Sequence, residues 1–284
     1  LRTLREMADE RPDDYRTFWN ELGAFVKQGV ATAYSDRDEL LPLLRFHSSR
    51  SGDDLISLAD YIERTPSTQE SIYYILGQDR ASVERSPHMD TFRARGIEVL
   101  YMLDPLDGFM TQSVGEYEGK RLQNIDDPDL ELPPVADKPE DAANDAAEQV
   151  PEAEFAAVIT RFQTVLGDRV KEVRASKVLT GSPCRLVSPD AGPDRELQRV
   201  RRMLEQDFEA PPKILEINRS HSLIRNLAGL IRSESADTLV DAAIEQLFEN
   251  LLLLEGLHPN PAGMVPRIQS LLETATQGTH PDAA

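Results

Sequence analysis

Apolar side chains at three- and four-residue spacing open the chain and predict helices. In the second of these helices, one apolar face is formed by Tyr15, Phe18, Trp19, Leu22, Phe25 and Val26. Residues 37–46 predict a further short helix with apolar positions at Leu40, Leu41, Leu43, Leu44 and Phe46. Residues 1–46 are therefore expected to be helical.

A strand, a helix and a second strand follow the polar loop at 48–54. Residues 70–77 are rich in β-branched and aromatic side chains, 82–96 predict a helix closed by Gly96, and 97–103 predict the next strand. Short connections make this a βαβ unit, so the two strands are expected to be parallel neighbours. Residues 108–120 predict a short helix and a turn.

The pattern is lost between Asp126 and Glu154, where 11 acidic residues stand against one lysine. A segment with so few large apolar groups cannot bury enough surface to offset its ordering entropy. We therefore predict domains at 1–125, with a small α/β subdomain from about residue 55, and at 153–276. An acidic linker at 126–152 would join them, and 277–284 would be a loose tail.

The second domain is predicted to contain a helix at 155–167, strands at 170–176, 184–188 and 213–218, and helices at 194–208, 221–231, 236–257 and 261–275. The apolar stripe of the 236–257 helix is too wide for one buried side, which indicates a second partner. The whole pattern predicts an α+β fold with α/β character. A helical segment and a small βαβ domain precede a mixed αβ domain that ends in a helical bundle.

Composition and charge narrow the class of protein. The 284 residues are 40% hydrophobic and carry a net charge of -19, which argues against binding to nucleic acid because phosphates would be repelled. No apolar run is long enough to span a membrane. A single cysteine and the lack of a signal-peptide pattern favour the cytoplasm. The sequence begins without Met, so we expect a fragment.

Asp104 and Asp107 are candidates for chemistry, because they follow a predicted parallel strand. Two carboxylates there could bind Mg²⁺ or act as an acid–base pair. Their spacing of three, with Pro105 between them, does not match the phosphatase pattern. We favour the alternative that Asp104 shapes a turn and Asp107 caps the next helix.

The remaining polar candidates indicate structural roles. The five histidines are too far apart for a local metal pair, so surface or capping roles are expected, with His221 at a helix start. Cys184 lies on a predicted strand and should be a small buried hydrophobe. The sequence contains no phosphate-binding glycine motif.

Apolar groups are the stronger candidates for a binding surface. Phe109 and Met110 follow a strand end, where packing on the sheet is less assured. The 194–208 helix has one apolar side, formed by Leu197, Val200, Met203 and Leu204. This side either packs on the three strands or forms an adaptable surface of the kind that Met and Phe favour.

Several long segments resemble the ninety-kilodalton heat-shock chaperones. Residues 71–110 and 116–125 resemble the end of the middle domain of that family, as does the segment 17–30. Residues 169–188 and 213–224 resemble its C-terminal dimerisation domain. The resemblance covers essentially the whole chain in order. The sequence does not end in EEVD, which favours a bacterial member.

The resemblance implies part of an ATP-driven, homodimeric chaperone that binds partly unfolded client proteins. ATP and Mg²⁺ would bind a domain that precedes this chain, so the fragment itself should be neither cofactor-binding nor catalytic. Its partners would be a second copy, unfolded clients and other chaperones, in the cytoplasm.

The resemblance also implies site residues. The positions that match the family's client-contact segment are Phe109, Met110 and Gln112. Gly108 stands where bacterial members often have an acidic residue. Further contacts match Leu197, Val200, Met203 and Leu204. The dimer interface matches the last two helices, through Leu239, Ile244, Leu247, Phe248, Leu251, Leu252, Leu254, Ile268, Leu271 and Leu272.

Two other interpretations stay open. The chain could be a purely structural dimerisation module whose client contacts need the missing domains. An enzyme acting through Asp104 and Asp107 is a more distant third.

Overall fold

The computed structural model describes residues 1–33, 35–127, 130, 132, 149–188, 211–233 and 236–277. These residues belong to two compact units. The first lies within Leu1–Arg85 and Phe92–Pro133, and the second within Ser86–Thr91, Pro134–Asp190 and Arg201–Ala284. Both contain helices and strands, so the predicted α+β class is confirmed. Most of the predicted linker and nearly all of the predicted tail lie outside the described residues, and the domain boundaries stay predictions.

Seven helices and five strands occur in the described residues through 127. The helices are α1 (Arg2–Glu10), α2 (Pro12–Thr32), α3 (Arg37–Leu40), α4 (Leu58–Arg64), α5 (Arg80–Glu84), α6 (Asp90–Ala94) and α7 (Asp107–Ser113). The strands are β1 (His47–Ser48), β2 (Ser71–Leu76), β3 (Leu100–Met102), β4 (Glu116–Tyr117) and β5 (Lys120–Asn124).

The sheet of the first unit has the order β1-β3-β2-β5-β4. Strands β2 and β3 are parallel and pair Tyr74 with Leu100, which confirms the predicted βαβ unit. The sequence did not reveal β1 or the β4–β5 hairpin, because these strands are short and lack a clear alternation. The hairpin turn has positive φ at Glu118 and Gly119.

Two of the predicted helices are interrupted at a proline. The helix expected at 82–96 is broken: α5 ends at Glu84, and a 3₁₀ turn at Pro87–Met89 precedes α6. Proline at 87 has no N–H to continue the helix, and Ser86 Oγ instead accepts the His88 N–H at 3.3 Å. The helix expected at 37–46 likewise gives way to a 3₁₀ turn at Leu41–Leu43.

Helix α2 supplies much of the first core. Tyr15, Trp19, Val26 and Val30 are buried there together with Leu43, Leu44 and Phe46. The Tyr15 hydroxyl donates to the Leu43 carbonyl at 2.5 Å, so the buried phenol keeps a hydrogen-bond partner. The predicted apolar face is wrong at Leu22 and Phe25, which are exposed.

The second unit places helices against a small sheet. Its main elements are α8 (Glu152–Leu166), β6 (Val170–Ala175), β7 (Cys184–Val187), β8 (Lys213–Ile217), α9 (Ser222–Arg232), α10 (Asp237–Leu254) and α11 (Val265–Gln277).

The three strands of this unit were all predicted. They form a sheet of order β6-β8-β7, with β6 and β8 parallel and β7 antiparallel to β8. Apolar side chains of α8, α9 and α10 meet this sheet in one core, which includes Phe155, Phe162, Leu215, Ile224, Ile244 and Phe248. Helix α11 buries none of its side chains.

Candidate functional site

The turn before α7 is built by its two aspartates. Oδ1 of Asp104 accepts the Leu106 N–H at 2.8 Å, and Oδ2 of Asp107 accepts the Asp104 N–H at 3.0 Å. The prediction that Asp104 shapes a turn is therefore confirmed. The prediction that Asp107 caps α7 is wrong, because its carboxylate faces back towards Asp104 and accepts no N–H of the helix.

Asp107 instead forms a buried ion pair with α2. Its carboxylate is fully buried, and Lys27 Nζ lies 2.8 Å from Oδ1. The same ammonium lies 4.0 Å from Oδ2 of Asp104. Burial raises the pKa of Asp107, and the positive charge of Lys27 opposes that rise.

This arrangement explains both aspartates without a metal. The Lys27 ammonium contacts both carboxylates and supplies the charge that a cation would otherwise bring. Among the residues that the structure describes, no group of three His, Cys, Asp or Glu side chains is placed to hold a metal ion.

Helix α7 divides the predicted client-contact residues. Phe109 keeps 44% of its surface exposed, and Gln112 is exposed as well. Met110 is completely buried in the first core, so the prediction that it forms an exposed pair with Phe109 is wrong. Successive helical residues turn by about 100°, which puts Met110 on the inner side with Asp107 and Thr111.

The longer helix α2 carries a second exposed aromatic that the sequence did not single out. Phe25 is 68% exposed, and Leu22, three residues earlier, is also exposed. The apolar periodicity did not reveal this exposure, because it places both residues on one face with the buried ones. The buried side of α2 is centred on Trp19, Val26 and Val30.

The other predicted client-contact helix, at 194–208, lies outside the described residues. The prediction for its apolar side therefore stays a prediction. That side is formed by Leu197, Val200, Met203 and Leu204.

Three of the residues predicted for a dimer interface are covered within one chain. Ile244, Phe248 and Leu251 on α10 are buried in the second core, so their assignment to an interface is wrong. The α10 stripe looked too wide because it contacts both α8 and α9 in the same protomer. Its remaining predicted members are partly buried: Leu239, Leu247, Leu252 and Leu254.

Helix α11 presents the exposed apolar face. Ile268 and Leu272 are exposed as the interface prediction requires, the latter at 60%, while Leu271 is partly buried. Val265 was not predicted and is 50% exposed. Since these positions are three and four residues apart, they lie along one side of the helix.

Polar contacts fix α11 to α10. Arg267 Nε donates to Gln246 Oε1 at 3.2 Å, and the same guanidinium forms an ion pair with Glu249. At the end of α10, Glu255 pairs with Lys213 of β8 at 2.6 Å. The exposed side of α11 is thus carried by a helix pair that is tied to the sheet.

The other single residues have structural roles. His221 Nδ1 accepts the Leu223 N–H at 3.1 Å, which confirms its place at the start of α9. The expected surface position is wrong for His88 and His258, which are buried. Cys184 is buried as predicted, and burial raises the pKa of its thiol to about 12.

None of the described helices combines the length and the apolar character that crossing a bilayer requires.

The comparison with protein families identifies the class of protein. The model of the Hsp90 protein family matches residues 1–283. The chain therefore belongs to the Hsp90 protein family, as the resemblance had indicated.

Its curated relatives include bacterial proteins. The chain is 35% identical over 274 residues to the Chaperone protein HtpG of Chlorobium phaeovibrioides, a match that covers 96% of this chain and 43% of that relative. It is 39% identical over 256 residues to that of Mycolicibacterium gilvum, covering 90% of this chain and 39% of the relative. The chain thus spans less than half the length of these proteins.

Proposed function

We propose that this chain is the part of an ATP-dependent chaperone that binds partly unfolded proteins and joins two protomers. Membership of the Hsp90 family supports the chaperone role. The observation that carries the binding role is Phe109, an aromatic exposed on a helix whose other large apolar side chain, Met110, is buried.

In this proposal the chain is not itself an enzyme. ATP and Mg²⁺ bind a domain that precedes it in the parent protein, which acts in the cytoplasm. The chain supplies apolar contacts for clients, and other chaperones are further partners. Exposed apolar patches of this kind mark sites of interaction between proteins.

Homodimerisation is assigned to α11. Val265, Ile268 and Leu272 form one exposed apolar side, and Leu253 at the end of α10 is exposed as well. A helix pair from each protomer would make a four-helix bundle about a two-fold axis.

The client-binding role is tested by replacing Phe109 and comparing it with a matched aromatic. We expect Phe109→Ser to weaken binding of a labelled, permanently unfolded polypeptide about fivefold, because about 1 kcal/mol of apolar burial is lost. Phe25→Ser removes a more exposed phenylalanine from α2 and serves as the control. Fluorescence anisotropy gives both affinities.

The alternative, a purely structural dimerisation module, draws on the same α11 face. It predicts that Phe109→Ser binds the unfolded polypeptide as the unchanged protein does while the dimer persists. An equal loss of affinity in both phenylalanine variants would indicate nonspecific apolar binding and would also count against a specific client surface.

A further inference from the structure

Helix α7 is joined to α2 at both of its ends. At its start, the buried carboxylate of Asp107 pairs with Lys27 at 2.8 Å. At its end, the Ser113 hydroxyl donates to the Ala31 carbonyl at 3.1 Å. Because Lys27 and Ala31 are one turn apart, α7 is attached along a single edge of α2.

The ion pair lies in surroundings that strengthen it. The ammonium of Lys27 is 5.8 Å from the centre of the Trp19 ring and 5.5 Å from that of Phe46. Both side chains of the pair are nearly or fully buried. Water therefore screens the attraction little, and the aromatic faces add a favourable contact with the cation.

Phe109 faces away from this attachment. It follows Asp107 by two residues, so its side chain points about 200° around the helix from the buried carboxylate. The ion pair contacts the inner side of α7, and the exposed aromatic side chain of Phe109 lies on the outer side.

We propose that Lys27 is a positioning residue for the client-contact helix: its ion pair with the Asp104–Asp107 turn holds α7 on α2 so that Phe109 is presented. This inference rests on the proposed function of Phe109. Lys27 itself touches no client, and it acts through Asp107.

A variant that separates positioning from stability is the neutral pair Lys27→Met with Asp107→Asn. Lys27→Met alone buries an uncompensated carboxylate and can unfold the unit. In the double variant both buried charges of the pair are removed, Asp104 stays partly exposed to water, and the amide oxygen at 107 can still accept the Asp104 N–H. We therefore expect its unfolding midpoint to stay near that of the unchanged protein.

The attraction between α2 and α7 is nevertheless lost in the double variant. We expect the amides of residues 107–114 to exchange hydrogen roughly tenfold faster than in the unchanged protein, while α8 in the other unit keeps its protection. Lys171→Met, which removes an exposed lysine, is the control and should change neither region. Mass spectrometry of peptides gives the exchange rates.

The single variant adds a pH signature. Without the cation, the pKa of Asp107 rises further, since only burial and Asp104 then act on it. The folded state keeps the proton to higher pH than the unfolded state does, so stability falls as the pH rises. Lys27→Met should therefore be most disturbed near pH 8 and least disturbed near pH 4.

The outcomes are distinct. Unchanged exchange of 107–114 in the double variant overturns the proposal, as does full affinity for the unfolded polypeptide when Phe109→Ser weakens it. Faster exchange together with weaker binding supports it. If Phe109→Ser has no effect on binding, the proposed function fails, while faster exchange still assigns the anchor of α7 to Lys27.

Discussion

At the scale of single residues, Glu216 is a charge of the second unit with several partners. Its carboxylate accepts hydrogen bonds from Arg185 Nε at 2.7 Å, from Arg174 Nη2 at 2.8 Å and from Ser176 Oγ at 3.2 Å. Burial by itself would raise the pKa of Glu216, but the two guanidinium groups outweigh it and hold the pKa below its ordinary value. The carboxylate thereby links all three strands of the sheet.

Replacing this carboxylate should destabilise the second unit. We expect Glu216→Gln to lower the free energy of unfolding by about 3 kcal/mol, because buried Arg185 loses its counter-charge. Glu172→Gln removes an exposed glutamate from β6 and should change stability by less than about 0.5 kcal/mol. Denaturant titration measures both.

The same carboxylate gives a dependence on pH. Because its folded pKa is lowered, its stabilisation is complete above the ordinary carboxylate pKa of about 4.3 and is lost as the pH falls through the folded value. The unchanged protein should thus lose more stability than Glu216→Gln between pH 5 and pH 3 (an approximate window). Parallel acid titrations of the two would refute the assignment.

At the scale of elements, α11 carries the dimer proposal. The double variant Ile268→Asp and Leu272→Asp puts charge on the exposed apolar side and should raise the dimer dissociation constant by roughly a hundredfold. Ser270→Asp adds a charge on another side of the same helix and is the control. Sedimentation equilibrium across a dilution series gives the constants.

A dimer that survives the double aspartate variant would contradict this interface. So would an unchanged protein that remains monomeric at every concentration. In either case α11 would not be the element that joins protomers.

Elements with a strong local pattern could be predicted from the sequence. Strand β2 was found from its β-branched and aromatic residues, strands β6, β7 and β8 from their short apolar and β-branched stretches, and α10 from its leucines. Proline 87 was the signal that could have split the predicted helix at 82–96, since it removes a backbone donor.

The candidate site was predictable only in part. The aspartate turn and the exposure of Phe109 followed from the sequence, but the partner of Asp107 did not. Lys27 lies eighty residues earlier, and no local spacing connects the two. Met110 and Ile244 were misplaced for a related reason, because the pattern finds apolar residues but not which neighbour covers them.

At the scale of the whole molecule, the proposed dimer would bring two client-contact surfaces together. A client long enough to reach both would gain from the effective concentration of the second surface once the first is bound. A short apolar peptide can occupy only one surface at a time. The difference between the affinities for the two ligands therefore reports whether client binding depends on dimerisation.

The most direct test compares the affinities of a long unfolded polypeptide and of a short apolar peptide, in the unchanged protein and in Ile268→Asp with Leu272→Asp. We expect the unchanged protein to prefer the long ligand by roughly tenfold or more, and the variant to lose this preference while it still binds the peptide. The same preference in both proteins would contradict the proposed dimer of client-contact surfaces, because client binding would then not depend on joining two copies.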